Sequence, residues 1–139
     1  STPAPDCPGC NACIRACPSG ALTETGCDVA RCLSDLTQKK GTLTAEQKAQ
    51  LQAHPLIWGC DFCQLACPYN RDAQVSPLPE LTGQTEETPY LASLSSEDLE
   101  GLTNRTFRAV FGNRSFAWRG PAVLRRNLAW KEEKKGDKL

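Results

Sequence analysis

Methionine is absent from this sequence, histidine occurs once, and aromatic side chains make up only 6% of it. The missing methionine and the linker-like opening Ser1-Thr2-Pro3-Ala4-Pro5 read as a piece cut from a longer protein. With few large apolar groups in 139 residues, the expectation is one domain, or a small domain with an appendage, around a modest core. No apolar run is long enough to cross a membrane, and no signal peptide opens the chain. The reading is therefore a cytoplasmic protein with no membrane partner. Cysteine is the residue in excess, with 9 copies in tight pairs and triplets. Without an oxidising compartment, and with an odd count, thiolate–metal bonding is favoured over disulfides.

Residues 7–18, CPGCNACIRACP, form the run C-x2-C-x2-C-x3-C-P. Residues 59–68, GCDFCQLACP, repeat its last three cysteines and its proline, but Ile57 stands where the first cysteine would be. Structural zinc closes a tetrahedron from two C-x2-C knuckles. Cys7, Cys10, Cys60 and Cys63 could do so, but Cys13, Cys17 and Cys67 would be left unexplained. The full run is instead the signature of bacterial two-cluster ferredoxins, whose fourth cysteine ligates the other cluster. Three thiolates in a tight loop hold one cube, and the fourth, ahead of a proline that stops the helix, points to its neighbour. That rule assigns Cys7, Cys10, Cys13 and Cys67 to cluster one, and Cys17, Cys60 and Cys63 to cluster two. Cluster two then needs a fourth ligand. Cys27 and Cys32 are the cysteines left, spacing does not choose between them, and a three-iron cluster is the remaining alternative.

The surrounding pattern is mostly short helices. Ser19-Gly20-Ala21-Leu22 reads as a turn into an extended segment. Asp28 is placed to cap a helix carrying Val29, Leu33 and Leu36 on one face, with Cys32 inside it, ending at Lys39-Lys40-Gly41. Thr44-Ala45-Glu46-Gln47 has capping-box form and predicts a second helix running to His54-Pro55. His54 reads as a capping or surface residue, not a ligand. Residues 74–89 read as an extended connection. Helices are expected near 96–102 and 104–111, with Leu99, Leu102, Phe107 and Phe111 in the core. Pro121 begins a last helix with Val123, Leu124 and Leu128 inward, and the charged stretch from Lys131 to Lys138 is expected to fray.

Three segments together carry a family resemblance. CPGCNACIRACPSGAL, then ARCLSDLTQKKG, then WGCDFCQLACPYN, resemble the iron–sulfur domain of epoxyqueuosine reductases, and AWRGPAVLRRNLA resembles that family's WRG…L-x-RN segment. The match is dense over residues 7–74 and looser over 90–130. In the family the remote ligand comes from an R/K-C-[IL]-[SA] element, here Arg31-Cys32-Leu33-Ser34. The resemblance thus implies Cys32 as the fourth ligand of cluster two and leaves Cys27 a packed or incidental thiol. It also implies Tyr69-Asn70 as shaping the turn beside cluster one.

The implied activity is reduction of epoxyqueuosine to queuosine at the wobble position of tRNA, the last step in making that base. The implied cofactors are two [4Fe-4S] clusters and cobalamin, the latter bound mainly by an N-terminal domain not in this chain. Implied partners are tRNA and an external electron donor such as a flavodoxin or ferredoxin, with the chain a monomer. No catalytic residue is assigned within the chain, which is expected to bind clusters but not to reduce epoxyqueuosine unaided.

The net formal charge of zero hides segregation, and each four-cysteine [4Fe-4S] unit adds about −2 when oxidised. Residues 81–102 carry five acidic groups and no basic one, whereas residues 103–139 carry ten basic and three acidic groups, a net of +7. Arg119, Arg125 and Arg126 are the candidate tRNA contacts, with Arg105, Arg108 and Arg114 nearby and Phe116 and Trp118 available for stacking. The alternative is a solvated helix face whose aromatics are core. The fold expected is α+β: a ferredoxin-like two-[4Fe-4S] domain over residues 1–80, with short strands and helices, then a linker and small basic helical segment over 81–139. Competing readings are a free-standing two-cluster ferredoxin, the cluster module of another corrinoid enzyme such as a reductive dehalogenase, and a zinc module.

Overall fold

The structure is a computed structural model that describes residues 7, 9–78, 91 and 93–136. Six helices and one two-stranded sheet follow in chain order among the described residues: α1 (Ala12–Ala16), β1 (Leu22–Thr23), β2 (Gly26–Cys27), α2 (Leu33–Gln38), α3 (Ala45–Ala53), α4 (Phe62–Leu65), α5 (Asn104–Phe111) and α6 (Pro121–Gly136). The strands pair antiparallel, Leu22 opposite Cys27 and Thr23 opposite Gly26. This is the expected α+β class with little sheet, and the turn after Cys17 feeds β1 as anticipated.

The helix expected to run on from Asp28 is divided. The Asp28 carboxylate accepts from the Ala30 amide at 3.1 Å and caps only a single tight turn, Val29–Arg31. Cys32 then takes an extended conformation (φ −64°, ψ 120°) before α2 begins, and Val29 stays 59% exposed. Cys32 thus sits at the junction of two short elements, its amide donating to the Val29 carbonyl at 3.0 Å and its carbonyl accepting from the Leu36 amide at 2.9 Å. α3 follows the capping-box expectation, with the Thr44 hydroxyl accepting from the Gln47 backbone amide at 3.2 Å and the Gln47 side-chain oxygen Oε1 accepting from the Thr44 backbone amide at 3.1 Å. It ends at Ala53, with His54 at its C-cap.

Two apolar clusters hold these elements. Leu33, Leu36 and Leu51 form one, joined at its edge by Leu43, Cys60 and Trp130. Leu99, Phe107, Phe111, Ala117, Leu124 and Leu128 form the other, with Ile57 and Trp58 packed against it. The expected helix at 96–102 is only a turn, Glu97–Leu99, yet it still buries Leu99 completely. Leu102, expected inward, packs at the margin of this second cluster. Residues 79–90, most of the expected connection, lie outside the described residues.

The last helix differs most from expectation. α6 continues to Gly136 instead of fraying from Lys131, because its distal half is tied to α3. Lys48 pairs with Glu133 at 2.7 Å, and Gln52 donates to the Trp130 carbonyl at 3.2 Å. Those cross-ties supply the tertiary contact that a charged helix end lacks on its own.

Candidate metal centre

The first cysteine run wraps a loop and the short helix α1. Asn11 opens α1 from a left-handed conformation (φ 54°), a state its short amide tolerates, and Arg15 donates to the Cys10 carbonyl at 2.9 Å to hold the loop in register. α4 packs against α1, and the chain leaves α4 through Cys67 and the turn Pro68–Asn70. Asn70 fixes that exit by donating to the Gln64 carbonyl at 2.8 Å and to its side-chain oxygen at 3.0 Å. The outcome is one cavity of about 550 Å³ lined by Cys7, Cys10, Cys13 and Cys67, with Leu22 and Tyr69 among its walls. The structure therefore brings Cys67 to the first run's three cysteines, across a long stretch of sequence.

Cys17 faces the other way. Its sulfur accepts the Ala21 amide at 3.2 Å and lies 3.8 Å from the Ser19 hydroxyl. Burial pushes this thiol's pKa up, but hydrogen bonds from the Leu22 backbone, the Ser19 side chain and the Ala21 backbone outweigh it and bring it below its usual value. Cys60 is the reverse case. Burial raises its pKa, a Phe62 backbone hydrogen bond opposes that, and the negative charge of Cys32, Cys63 and Cys17 raises it further. Cys32, Cys63 and Cys17 thus lie within electrostatic reach of Cys60. Cys27, at the exposed end of β2, lies beside Cys32: slight desolvation, the charge of Cys32 and Cys17 and a thiol–thiol hydrogen bond to Cys32 all raise its pKa.

Why Ile57 is not a ligand follows from packing. It lies against the Leu99–Leu128 cluster, and its carbonyl accepts from the Asn127 amide at 2.8 Å. The position that a cysteine would hold in the first run belongs here to the core.

The loop carrying Cys60 is positioned by three buried polar side chains that the sequence reading did not single out as a set. Thr37 accepts from the Gly59 amide at 2.9 Å. The His54 ring nitrogen Nε2 bonds the Gly59 carbonyl at 2.9 Å. Asn127 donates to the carbonyls of both Thr37 and Ile57, each at 2.8 Å. His54 is thus not a surface residue: it is 3% exposed and meets Phe62 edge-on at 5.8 Å. Burial lowers its pKa, and Nε2 donates to Gly59 in the neutral ring that results. Gly59 itself takes φ 71°, a conformation that favours glycine at this bend.

Two of the three candidate arginines are taken up by backbone carbonyls, and the third, half-buried, stacks on a tryptophan. Arg125 donates to the carbonyls of Leu99 (3.1 Å) and Leu102 (2.6 Å). Arg126 donates to the carbonyls of Lys39 (2.6 Å) and Gly41 (3.3 Å) and to the Asn127 side chain (3.0 Å). With Asn127, they fasten α6 to the turn before α5, the end of α2 and the Cys60 loop. Arg119 instead lies over the exposed ring of Trp118, 3.9 Å from its centroid. Phe116 is taken into the core beside Phe107 and Phe111.

Comparison with known proteins agrees with this geometry. A family model described as a 4Fe-4S double cluster binding domain matches residues 6–70. Epoxyqueuosine reductase of Listeria monocytogenes is 38% identical over 128 residues, 91% of this chain and 32% of that protein. That of Bacillus subtilis is 37% identical over 122 residues, 87% of this chain and 30% of that protein. A solved structure of the Bacillus subtilis enzyme superposes with a TM-score of 0.74 at 33% identity, covering 92% of this chain and 33% of that one. A crystal structure of epoxyqueuosine reductase with an epoxyqueuosine-modified tRNA-Tyr stem loop gives a TM-score of 0.69 at 34% identity, over 90% of this chain and 32% of that one. The chain spans about a third of the length of these relatives. By sequence and by fold, the chain matches the segment of epoxyqueuosine reductases that spans about a third of their length, and residues 6–70 match a 4Fe-4S double cluster binding domain.

Proposed function

We propose that this chain is the electron-delivering iron–sulfur part of an epoxyqueuosine reductase. Cys7, Cys10, Cys13 and Cys67 hold one [4Fe-4S] cluster, and Cys17, Cys32, Cys60 and Cys63 hold the other. The observation that carries the reading is that Cys67, distant in sequence, lines one cavity with Cys7, Cys10 and Cys13, while Cys17 is not among that cavity's lining and its sulfur accepts the Ala21 amide.

The donor set fits such clusters. All nine cysteines are free thiols. Among the described residues no three His, Cys, Asp or Glu groups converge closely enough to hold a single metal ion. Ligands spread around a roomy cavity suit a cube, which takes one thiolate at each corner, better than one tetrahedral zinc. The amide and hydroxyl directed at Cys17 stabilise a thiolate there. When bound, clusters of this kind exchange single electrons with little rearrangement. The chain's own residues hold the thiolates apart, restrict water on the Cys60 side and fix the loops.

In this reading the electron acceptor is a cobalamin held mainly by a part of the protein outside these 139 residues, and no residue here is assigned to it. The substrate is epoxyqueuosine in tRNA, the donor is of flavodoxin or ferredoxin type, and the setting is the cytoplasm. Residues 1–80 form the cluster domain, and 81–139 a C-terminal segment bound to it through α6.

Iron and sulfide analysis with electron paramagnetic resonance of the anaerobically prepared chain tests the assignment. About eight irons per chain are expected. Cys32→Ser should degrade one cluster, and Cys27→Ser should leave both intact. The opposite pattern would overturn the ligand assignment, and zinc in a colourless protein would overturn the redox function altogether.

A further inference from the structure

A second cavity, of about 510 Å³, opens on the face where α6 begins. Four cationic side chains line it, Lys40, Arg108, Arg119 and Arg126, and no carboxylate does. Gly120, just before α6, and Ala122 and Val123 in its first turn contribute to the wall, so the positive end of a 16-residue helix adds to the same field. Among the described residues the Arg119 Nε is buried without a hydrogen-bond partner. A buried donor of that kind calls for an acceptor. Beside it the Trp118 ring is 59% exposed, with the Arg119 guanidinium over it.

An orphaned guanidinium donor, a helix start and further cations around one cavity form a receptor for a phosphate group. The exposed indole at its edge adds a stacking surface, which a simple inorganic anion would not use but a nucleobase would. We propose that this cavity receives a backbone phosphate of an RNA loop while Trp118 stacks an adjoining base. The proposal rests on the reading that the parent protein acts on tRNA, and it locates the contact at the α6 start and the end of α2 instead of along Arg125. Arg126 supplies charge to the cavity while its N–H groups stay on the carbonyls of Lys39 and Gly41. Arg119 supplies the directed hydrogen bond.

The test is fluorescence anisotropy of a labelled tRNA anticodon stem-loop titrated with the cluster-loaded full chain at several salt concentrations. Lys40 and Arg108 are exposed, so Lys40→Gln and Arg108→Gln leave the core untouched. Each should weaken binding about 3- to 10-fold and lower the salt slope by about 0.7 to 0.9. Arg105→Gln, exposed on α5 outside the cavity, should stay within about twofold of the parent chain. Trp118→Ala should weaken the stem-loop about fivefold or more yet leave competition by inorganic phosphate unchanged. Full-strength RNA binding by the Lys40 and Arg108 variants overturns the proposal, as does an equal loss in Arg105→Gln or no binding by the parent chain. Iron content of the same samples separates the two readings. An iron-loaded chain that binds RNA elsewhere sinks only the cavity, and a cavity that binds RNA in a zinc-loaded chain sinks only the electron-transfer assignment.

Discussion

Removing the Asn127 side chain should release the loop that carries Cys60. Asn127 is 3% exposed and donates to the carbonyls of Thr37 and Ile57, both at 2.8 Å. Asn127→Ala strips the partner from two carbonyls in the interior, each costing about 1–3 kcal/mol when left unsatisfied. The Arg126 guanidinium also loses the acceptor that it contacts at 3.0 Å. A total of about 2–6 kcal/mol is a large share of the stability of a small domain. With a urea slope of about 2 kcal/mol/M, the midpoint of the cluster-loaded protein should fall by about 1–3 M.

Asn127→Asp, nearly isosteric but without donors, should be no better, since it sets a carboxylate against two carbonyl oxygens. Thr37→Val, which removes the acceptor of the Gly59 amide, acts on the same loop. The double variant should therefore cost less than the sum of the singles, with a coupling of about 0.5–3 kcal/mol. The assay is anaerobic urea unfolding followed by the visible absorption of the clusters, together with the rate of iron loss to a chelator, which should rise first for the cluster fed by Cys60. A midpoint shift below about 0.3 M for Asn127→Ala would refute the reasoning, because a surface substitution does as much.

Two further outcomes are expected. Burial holds the His54 pKa below its ordinary 6.5, so the unfolded chain binds more protons than the folded one once pH falls below that value. Stability should be complete above about pH 6.5 and decline on acidification toward the folded-state pKa, and His54→Gln should flatten that decline in urea midpoints measured between pH 7.5 and 5.5. Iron removal under anaerobic chelation should unfold the cysteine-bearing half, because α1 and α4 bury no residue of their own, and helical circular dichroism should fall accordingly. The Leu99–Leu128 cluster contains no cysteine and should retain part of the helical signal. A spectrum unchanged by iron removal would contradict the dependence of the first half on metal.

Some of this was legible along the chain because the relevant physics is local. A capping box needs residues three apart, and Thr44 with Gln47 formed one as written. The spacing of Cys7, Cys10, Cys13 and Cys17 carried the two-cluster signature as written, and residues 6–70 match a 4Fe-4S double cluster binding domain. The apolar spacing of Phe107, Phe111, Leu124 and Leu128 marked the core of the C-terminal part for the same reason. The split at Cys32 was not legible. Asp28 and the apolar spacing agree with one continuous helix, and the extended Cys32 backbone shows only when α2 is packed in place.

The role of the RRN stretch belonged to tertiary structure too. A charge count offers Arg125 and Arg126 as tRNA contacts or as a solvated face, because sequence does not tell which carbonyls a folded chain leaves without partners. Packed, the two guanidinium groups answer the carbonyls of Leu99, Leu102, Lys39 and Gly41, while Asn127 ties α2 to the Cys60 loop. The sequence by itself determined the chemistry of the ligands and the short helices that carry them. Only the tertiary structure decided how the Cys60 loop is held and where Cys32 sits, because the contacts of Thr37, His54 and Asn127 to residues 57 and 59 join parts of the chain far apart in sequence.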